Sequence, residues 1–346
     1  MRRTHAQHGF SLAELTTVVA VVSILMLIVY ATIDDAMKAT MFAESHNDLT
    51  IMTQRVMNDL QSELLQSRLA FQDNADGNDY KGALQLPASV TVWSDTLLPV
   101  FQSGEVLTPD TGTGTSRRTG NSLLLVRQLE PLSVMYDDDG NAATPDVEFL
   151  ADRYRFDYYY LASNSTRSFG GTGFYLDLLE SRSGEYADYF QLASLSTSAM
   201  TAIVPKVQAA GISSAWDPGQ PLASAFYDLA PAAKGAFGSA LAKPTIPIAR
   251  TTSLLPEMRG GRISGRMEYS IAFVPDSPKK PFPLLHPIGV YAQPDPAFPK
   301  FPAGFEVKIA GPSGNRRVGM RLVLMANYKT STYESQQGFV TASGRF

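Results

Sequence analysis

The 24 residues from Phe10 to Ile33 (FSLAELTTVVAVVSILMLIVYATI) constrain the fold more than any other stretch of the chain. As a helix this run spans roughly 36 Å, enough to cross a hydrocarbon core of about 30 Å. Its polar residues are Ser11, Glu14, Thr16, Thr17, Ser23, Tyr30 and Thr32. Hydroxyls can bond back to the helix, but a carboxylate is not hidden that way. At mid-bilayer it costs on the order of 2.5–3.5 kcal/mol. Near the start of the span the cost falls, and the positive end of the helix dipole offsets part of it. Arg2 and Arg3 precede the run and Asp34 and Asp35 follow it. The positive-inside bias then predicts a cytoplasmic N-terminus with the rest of the chain outside.

Three readings fit such a run. One is a plain signal anchor. Another is a secretory signal peptide cut after Val29-Tyr30-Ala31, although the apolar run exceeds the usual length and holds an acid. In the third, the basic leader MRRTHAQH, Gly9, Phe10 and the acid at Glu14 together resemble the processing site of type IV pilins. The resemblance implies a leader of residues 1–9, removed between Gly9 and Phe10 by a prepilin peptidase that also methylates the new amine. It further implies that Glu14 meets the freed amine of a neighbouring subunit during assembly, which gives the acid a partner.

The helical pattern does not stop at Ile33. No glycine or proline occurs between Phe10 and Asp76; Gly77 and Pro87 come next. In a chain with 26 Gly and 22 Pro this is a strong helix signal. Met37, Met41, Leu49, Met52, Val56, Leu60 and Leu64 recur on one helical face, with charged and amide residues between them. The spacing predicts one helix from Phe10 to about Phe71, roughly 93 Å long, with a membrane half over 10–33 and an amphipathic half over 34–72. The turn formers of DNADGN (73–78) read as its stop.

The remaining 77–346 is long enough for one large domain or two small ones. Losing the leader takes Arg2 and Arg3 from the 29 basic residues, leaving 27 against 33 acidic and a net charge of −6. That balance does not favour nucleic acid as a partner. The chain has no cysteine, which excludes disulfides, thiol catalysis and Cys-ligated zinc.

Strand-like runs are Ser89–Trp93, Ser122–Leu129, Ser133–Tyr136, Tyr154–Leu161, Gly173–Leu179, Tyr186–Leu192, Arg262–Val274, Phe305–Ile309 and Arg317–Tyr328. Gly311-Pro312-Ser313-Gly314-Asn315 reads as a hairpin loop between the last two. An Ala/Ser/Gly/Pro-rich stretch over 195–256 reads as an insertion of short helices and loops. A proline-rich arm covers 276–302. The expected fold class is α+β: a long N-terminal helix packed on an antiparallel β-sheet. This is similar to an enlarged pilin fold, most like the large minor pilins and pseudopilins of the PilW or GspJ kind. Ala31 stands where many major pilins carry a helix-melting proline, so a continuous helix is expected.

Little in the chain points to catalysis. The four histidines are His5, His8, His46 and His286, two of them in the leader, and neither G-x-S-x-G nor Walker A occurs. No enzymatic activity and no resident cofactor are expected. Two acidic turns, Asp73–Asp79 and Asp137-Asp138-Asp139-Gly140-Asn141, are calcium candidates, chiefly through Asp137, Asp139 and Asn141. Both lack EF-hand spacing and also read as self-capped Asx turns. The alternating Tyr154, Phe156, Tyr158 and Tyr160 read as core rather than as a sugar platform. Arg259, Arg262 and Arg266 read as a solvated loop, and Arg316 and Arg317 as flanks of the last hairpin.

The sequence therefore favours a minor pilin or pseudopilin of the bacterial inner membrane, single-pass with its globular part outside the cytoplasm. It would join other major and minor pilins or pseudopilins in the tip or initiation complex of a type IV pilus or type II secretion pseudopilus. The alternative, of another class, is a membrane-anchored binding or adhesin-like protein that enters no filament.

Overall fold

A computed structural model describes residues 11–93, 96–102, 104, 119–137, 146–169, 173–255, 258–259, 266–271, 304–328 and 332–344. The proline-rich arm, Gly9, Phe10, Asp139, Asn141, Arg262 and His286 lie outside them. The first element is α1 (Leu12–Leu65), followed by β1 (Ser67–Ala70), α2 (Ala75–Ala83), β2 (Leu84–Gln85), β3 (Thr91–Val92) and β4 (Phe101–Gln102). Three long strands come next, β5 (Leu123–Tyr136), β6 (Val147–Phe169) and β7 (Gly173–Asp188). Then come α3 (Tyr189–Ala193), α4 (Thr197–Ala209), β8 (Ser214–Trp216), α5 (Leu222–Ala225), β9 (Phe226–Asp228), α6 (Leu229–Ala232) and β10 (Ile246–Ser253). The chain closes with β11 (Met258–Arg259), β12 (Arg266–Ile271), β13 (Phe305–Ala310), β14 (Arg316–Tyr328) and β15 (Thr332–Gly344). A long apolar helix followed by antiparallel sheets makes this an α+β, pilin-like fold.

The chain divides into two units, Met1–Asp48 and Leu49–Phe346. The first holds the apolar part of α1. In the second, the helical stripe Leu49, Met52, Val56, Leu60 and Leu64 is fully buried. The largest sheet runs β1-β5-β6-β7-β10-β2, with β3 on β6, β8 on β7 and β9 on β8. A second sheet runs β11-β12-β14-β13-β4, with β15 on β14.

Side chains alternate across β6, as the pleat requires. Tyr154, Phe156, Tyr158 and Tyr160 point into one core, with Tyr80, Trp216 and Phe226. The Phe156 and Trp216 rings meet edge to face at 5.3 Å. Their polar tips are satisfied: Tyr154 donates to Asp188 at 2.9 Å and Trp216 donates to the Tyr80 hydroxyl at 3.1 Å. Burial pushes the Tyr80 hydroxyl up to about 12. The aromatic stripe is therefore core. A second core joins Val134, Ala151 and Ala187 to α4 through Ile203, Val204 and Val207.

Several elements differ from the sequence pattern. The helix expected to reach Phe71 ends at Leu65, because Ser67–Ala70 leaves it to pair with β5. The Ser67 hydroxyl donates back to the Glu63 carbonyl at 2.7 Å, closing the helix without a breaker residue. DNADGN is thus a start rather than a stop: Asn74 caps α2 by accepting from Gly77 N at 2.7 Å. The runs at Ser122–Leu129 and Ser133–Tyr136 form one strand, bulged between Leu129 and Leu132. Glu130 and Pro131 sit in that bulge, where proline's missing N–H costs the ladder nothing. Gly173–Leu179 and the start of Tyr186–Leu192 likewise merge into β7, until Asp188 caps α3. Strand β10, inside the expected insertion, pairs with β7 as part of the main sheet. The stretch after Tyr328, outside the expected strands, returns as β15, paired along the whole of β14. The hairpin at Gly311–Asn315 is present, with Gly311 and Gly314 at positive φ.

Candidate functional site

The candidate site is the start of α1. Ser11 is its N-cap and Glu14 its third residue, and the two side chains cap each other. The Ser11 N–H and hydroxyl donate to Glu14 Oε2 at 2.9 and 3.0 Å, and Glu14 N donates to Ser11 Oγ at 3.3 Å. This reciprocal capping box satisfies two donors that a helix start leaves free. The S-x-x-E spacing of Ser11 and Glu14 is the sequence signal for this cap, one that hydrophobic periodicity does not register. A carboxylate at a helix N-terminus also lies at the favourable end of the dipole. The other Glu14 oxygen takes no hydrogen bond among the described residues.

Beyond Glu14 the hydroxyls turn inward on the backbone, as their short reach allows. Thr16 donates to Leu12 O, Thr17 to Ala13 O, Ser23 to Val19 O and Thr32 to Ile28 O, at 2.8–2.9 Å. Ser11 to Thr32 are all exposed within the chain, including Leu15, Val18, Val22, Leu25 and Val29. A helix apolar all round needs apolar surroundings on every side. Leu12–Leu65 is long and apolar enough to cross a membrane. The Asp34–Lys38 pair, 2.6 Å apart and exposed, marks the return to polar sequence.

The other candidates are placed as follows. Asp137 is exposed directly after β5, and its expected partners Asp139 and Asn141 lie outside the described residues. In the earlier acidic turn, Asp73 accepts from the Asn78 side chain at 2.8 Å and Asp76 from Leu222 N at 3.3 Å. Among the described residues, no group of three or more His, Cys, Asp or Glu is arranged to hold a metal. Arg259 pairs in register with Arg266 between β11 and β12. The Arg316 guanidinium lies 4.8 Å from the centre of the Phe101 ring, beside the β13–β14 hairpin. His46 stacks on Phe42 along α1, 6.4 Å between centroids.

This start, a capped acid at the head of an apolar run exposed over Ser11–Thr32, coincides with a known motif. Residues 4–30 match the prokaryotic N-terminal methylation motif. The match supports a type IV pilin-like prepilin: a membrane-anchored structural subunit, processed by prepilin peptidase and assembled with other pilins. No curated protein and no solved structure matches the chain.

Proposed function

We propose that this protein is a minor pilin or pseudopilin, cut between Gly9 and Phe10, with Glu14 receiving the freed amine of the neighbouring subunit. The observation that carries this reading is the methylation motif over 4–30, which runs into a helix long and apolar enough to cross a membrane and exposed over Ser11–Thr32. The capping box holds one Glu14 oxygen at the helix start and leaves the other to accept an ammonium from outside. The globular part lies outside the cytoplasm, following the arginines of the leader. The bulk of the unit from Leu49 to Phe346 favours a tip or initiation complex over the repeating shaft.

Mass spectrometry of the N-terminus tests the processing. A methylated Phe10 is expected, and an intact Met1 on the functional protein would overturn the reading. Glu14→Gln should leave cleavage in place and abolish incorporation into the filament, whereas Gly9→Val should block cleavage itself. If both variants behave like the wild type, the anchored binding protein is the better account.

A further inference from the structure

Strand β6 places its even-numbered side chains on one face of the main sheet. From Tyr154 to Tyr160 that face is the aromatic core. Toward the start of the strand the same face continues as Asp152, Leu150 and Glu148, and there its cover ends: Glu148 is exposed and Leu150 is 50% exposed. On β5, Ser133 pairs with Leu150 and Met135 with Glu148, and Met135 is 46% exposed. The opposite face of this ribbon is covered, because Val134 and Ala151 pack with Ile203, Val204 and Val207 of α4. The ribbon's edges are blunted. On the β5 side stand Pro131 and the Lys206 ammonium, which donates to the Met135 carbonyl. On the β6 side the Gln191 side chain takes the place of a strand, accepting from Asp152 N at 2.8 Å and donating to the Leu150 carbonyl at 2.7 Å. What stays open to a partner is therefore a face rather than an edge. That face carries one sign of charge. No lysine or arginine occurs between Glu130 and Asp152. Among the described residues Glu148 and Asp152 form no ion pair, and Glu148 accepts from the Ser133 hydroxyl at 2.6 Å. The flanking bases are engaged elsewhere, Arg68 with Gln128 at 3.3 Å and Arg153 with Glu185 at 2.7 Å.

We propose that this bare end of the core face, Met135 and Leu150 set between Glu148 and Asp152, receives a neighbouring pilin subunit through an apolar side chain flanked by lysine or arginine. The inference rests on the reading above that the chain joins a filament. Shape and sign together select the occupant. Two apolar side chains left in water at the end of a core face gain by being covered. Methionine, with its flexible thioether, adapts to what covers it. The unpaired acids beside them repel phosphate-bearing surfaces, lipid and nucleic acid alike, and steer a cationic partner into register. The blunted edges disfavour a strand added to the sheet. A second copy docking through the same face would set acid against acid, since a twofold contact matches a patch with itself.

Photo-crosslinking of the full chain in cells that assemble the filament tests this, with Leu150 replaced by p-benzoylphenylalanine and the adducts mapped by mass spectrometry. The expected adduct joins a pilin subunit of different sequence, at a site next to a lysine or arginine. Glu148→Lys together with Asp152→Lys should lower its yield about fivefold or more. Lys234→Glu, on the surface after α6, should leave the yield unchanged. Glu148→Gln, nearly isosteric, serves where the double reversal folds poorly and should lower the yield about twofold. An adduct confined to lipid or to a second copy would overturn the proposal, as would a yield indifferent to the two acids. No adduct on protein whose Phe10 is methylated would also overturn it and leave the filament reading standing. No adduct together with an intact Met1 would sink both.

Discussion

Gly120 shows how much one residue decides. It bridges to Val307 of the second sheet, its N–H donating to the Val307 carbonyl at 2.9 Å and its carbonyl accepting in return at 2.8 Å. A Cβ there would lie 2.5 Å from Pro99 N, 2.7 Å from Leu98 C and 2.8 Å from Leu97 O. All three are backbone atoms, which cannot swing aside as a side chain does. Gly120→Ala should therefore destabilise the globular part by about 1–3 kcal/mol, as overpacking does. Urea unfolding checks it, and an unchanged midpoint would mean that the segment around Leu98 yields freely. Ser11 acts at the same scale by a different route: its side chain and N–H fix where the Glu14 carboxylate stands.

At the scale of elements, α1 changes its surroundings part-way along its length. Up to Ile33 its apolar side chains are uncovered, whereas from Leu49 one stripe is buried in the globular part. Leu60 and Leu65 make the contrast testable, since Leu60 is 1% exposed and Leu65 61%. Leu60→Ala removes a packed side chain and should cost about 2–5 kcal/mol. Leu65→Ala should stay within about 0.5 kcal/mol, as surface changes do. Equal midpoints for the two variants would show that the stripe does not carry the packing. Strand β5 guards its edge in a related way. Pro131 sits in the bulge, and Lys206 of α4 donates to the Met135 carbonyl, so a stretch of backbone that another strand could pair with is blunted.

For the whole molecule, buried acids set how stability responds to pH. Burial pushes both Glu63 and Asp157 above the usual carboxylate range. A group raised in the folded state contributes stability that is complete below its unfolded value and is lost as pH rises through its folded value. The contribution of these two acids should therefore grow as pH falls from neutral toward the ordinary carboxylate range. Urea midpoints across that range should show it as a difference between the wild type and Glu63→Gln, with the variant flatter. A wild-type contribution that shrinks on acidification would contradict the assignment.

The sequence alone determined the features that rest on local chemistry and periodicity. These are the membrane-length helix, the methylation motif around Gly9, the stripe that α1 buries from Leu49 onward and the aromatic face of β6. Each follows from residue type and spacing within one segment, which folding does not alter. Only the tertiary structure decided where α1 stops, because Ser67–Ala70 can continue a helix or pair with β5, and the burial of Ala70 and Phe71 in the core favours the strand. It also decided that β10 belongs to the main sheet and that the tail returns as β15, since strand pairing depends on a partner far away in the chain. The ionic cluster of Glu63 with Arg127 and Arg182 was invisible for the same reason. Its members stand on α1, β5 and β7, and nothing short of the folded sheet brings them together.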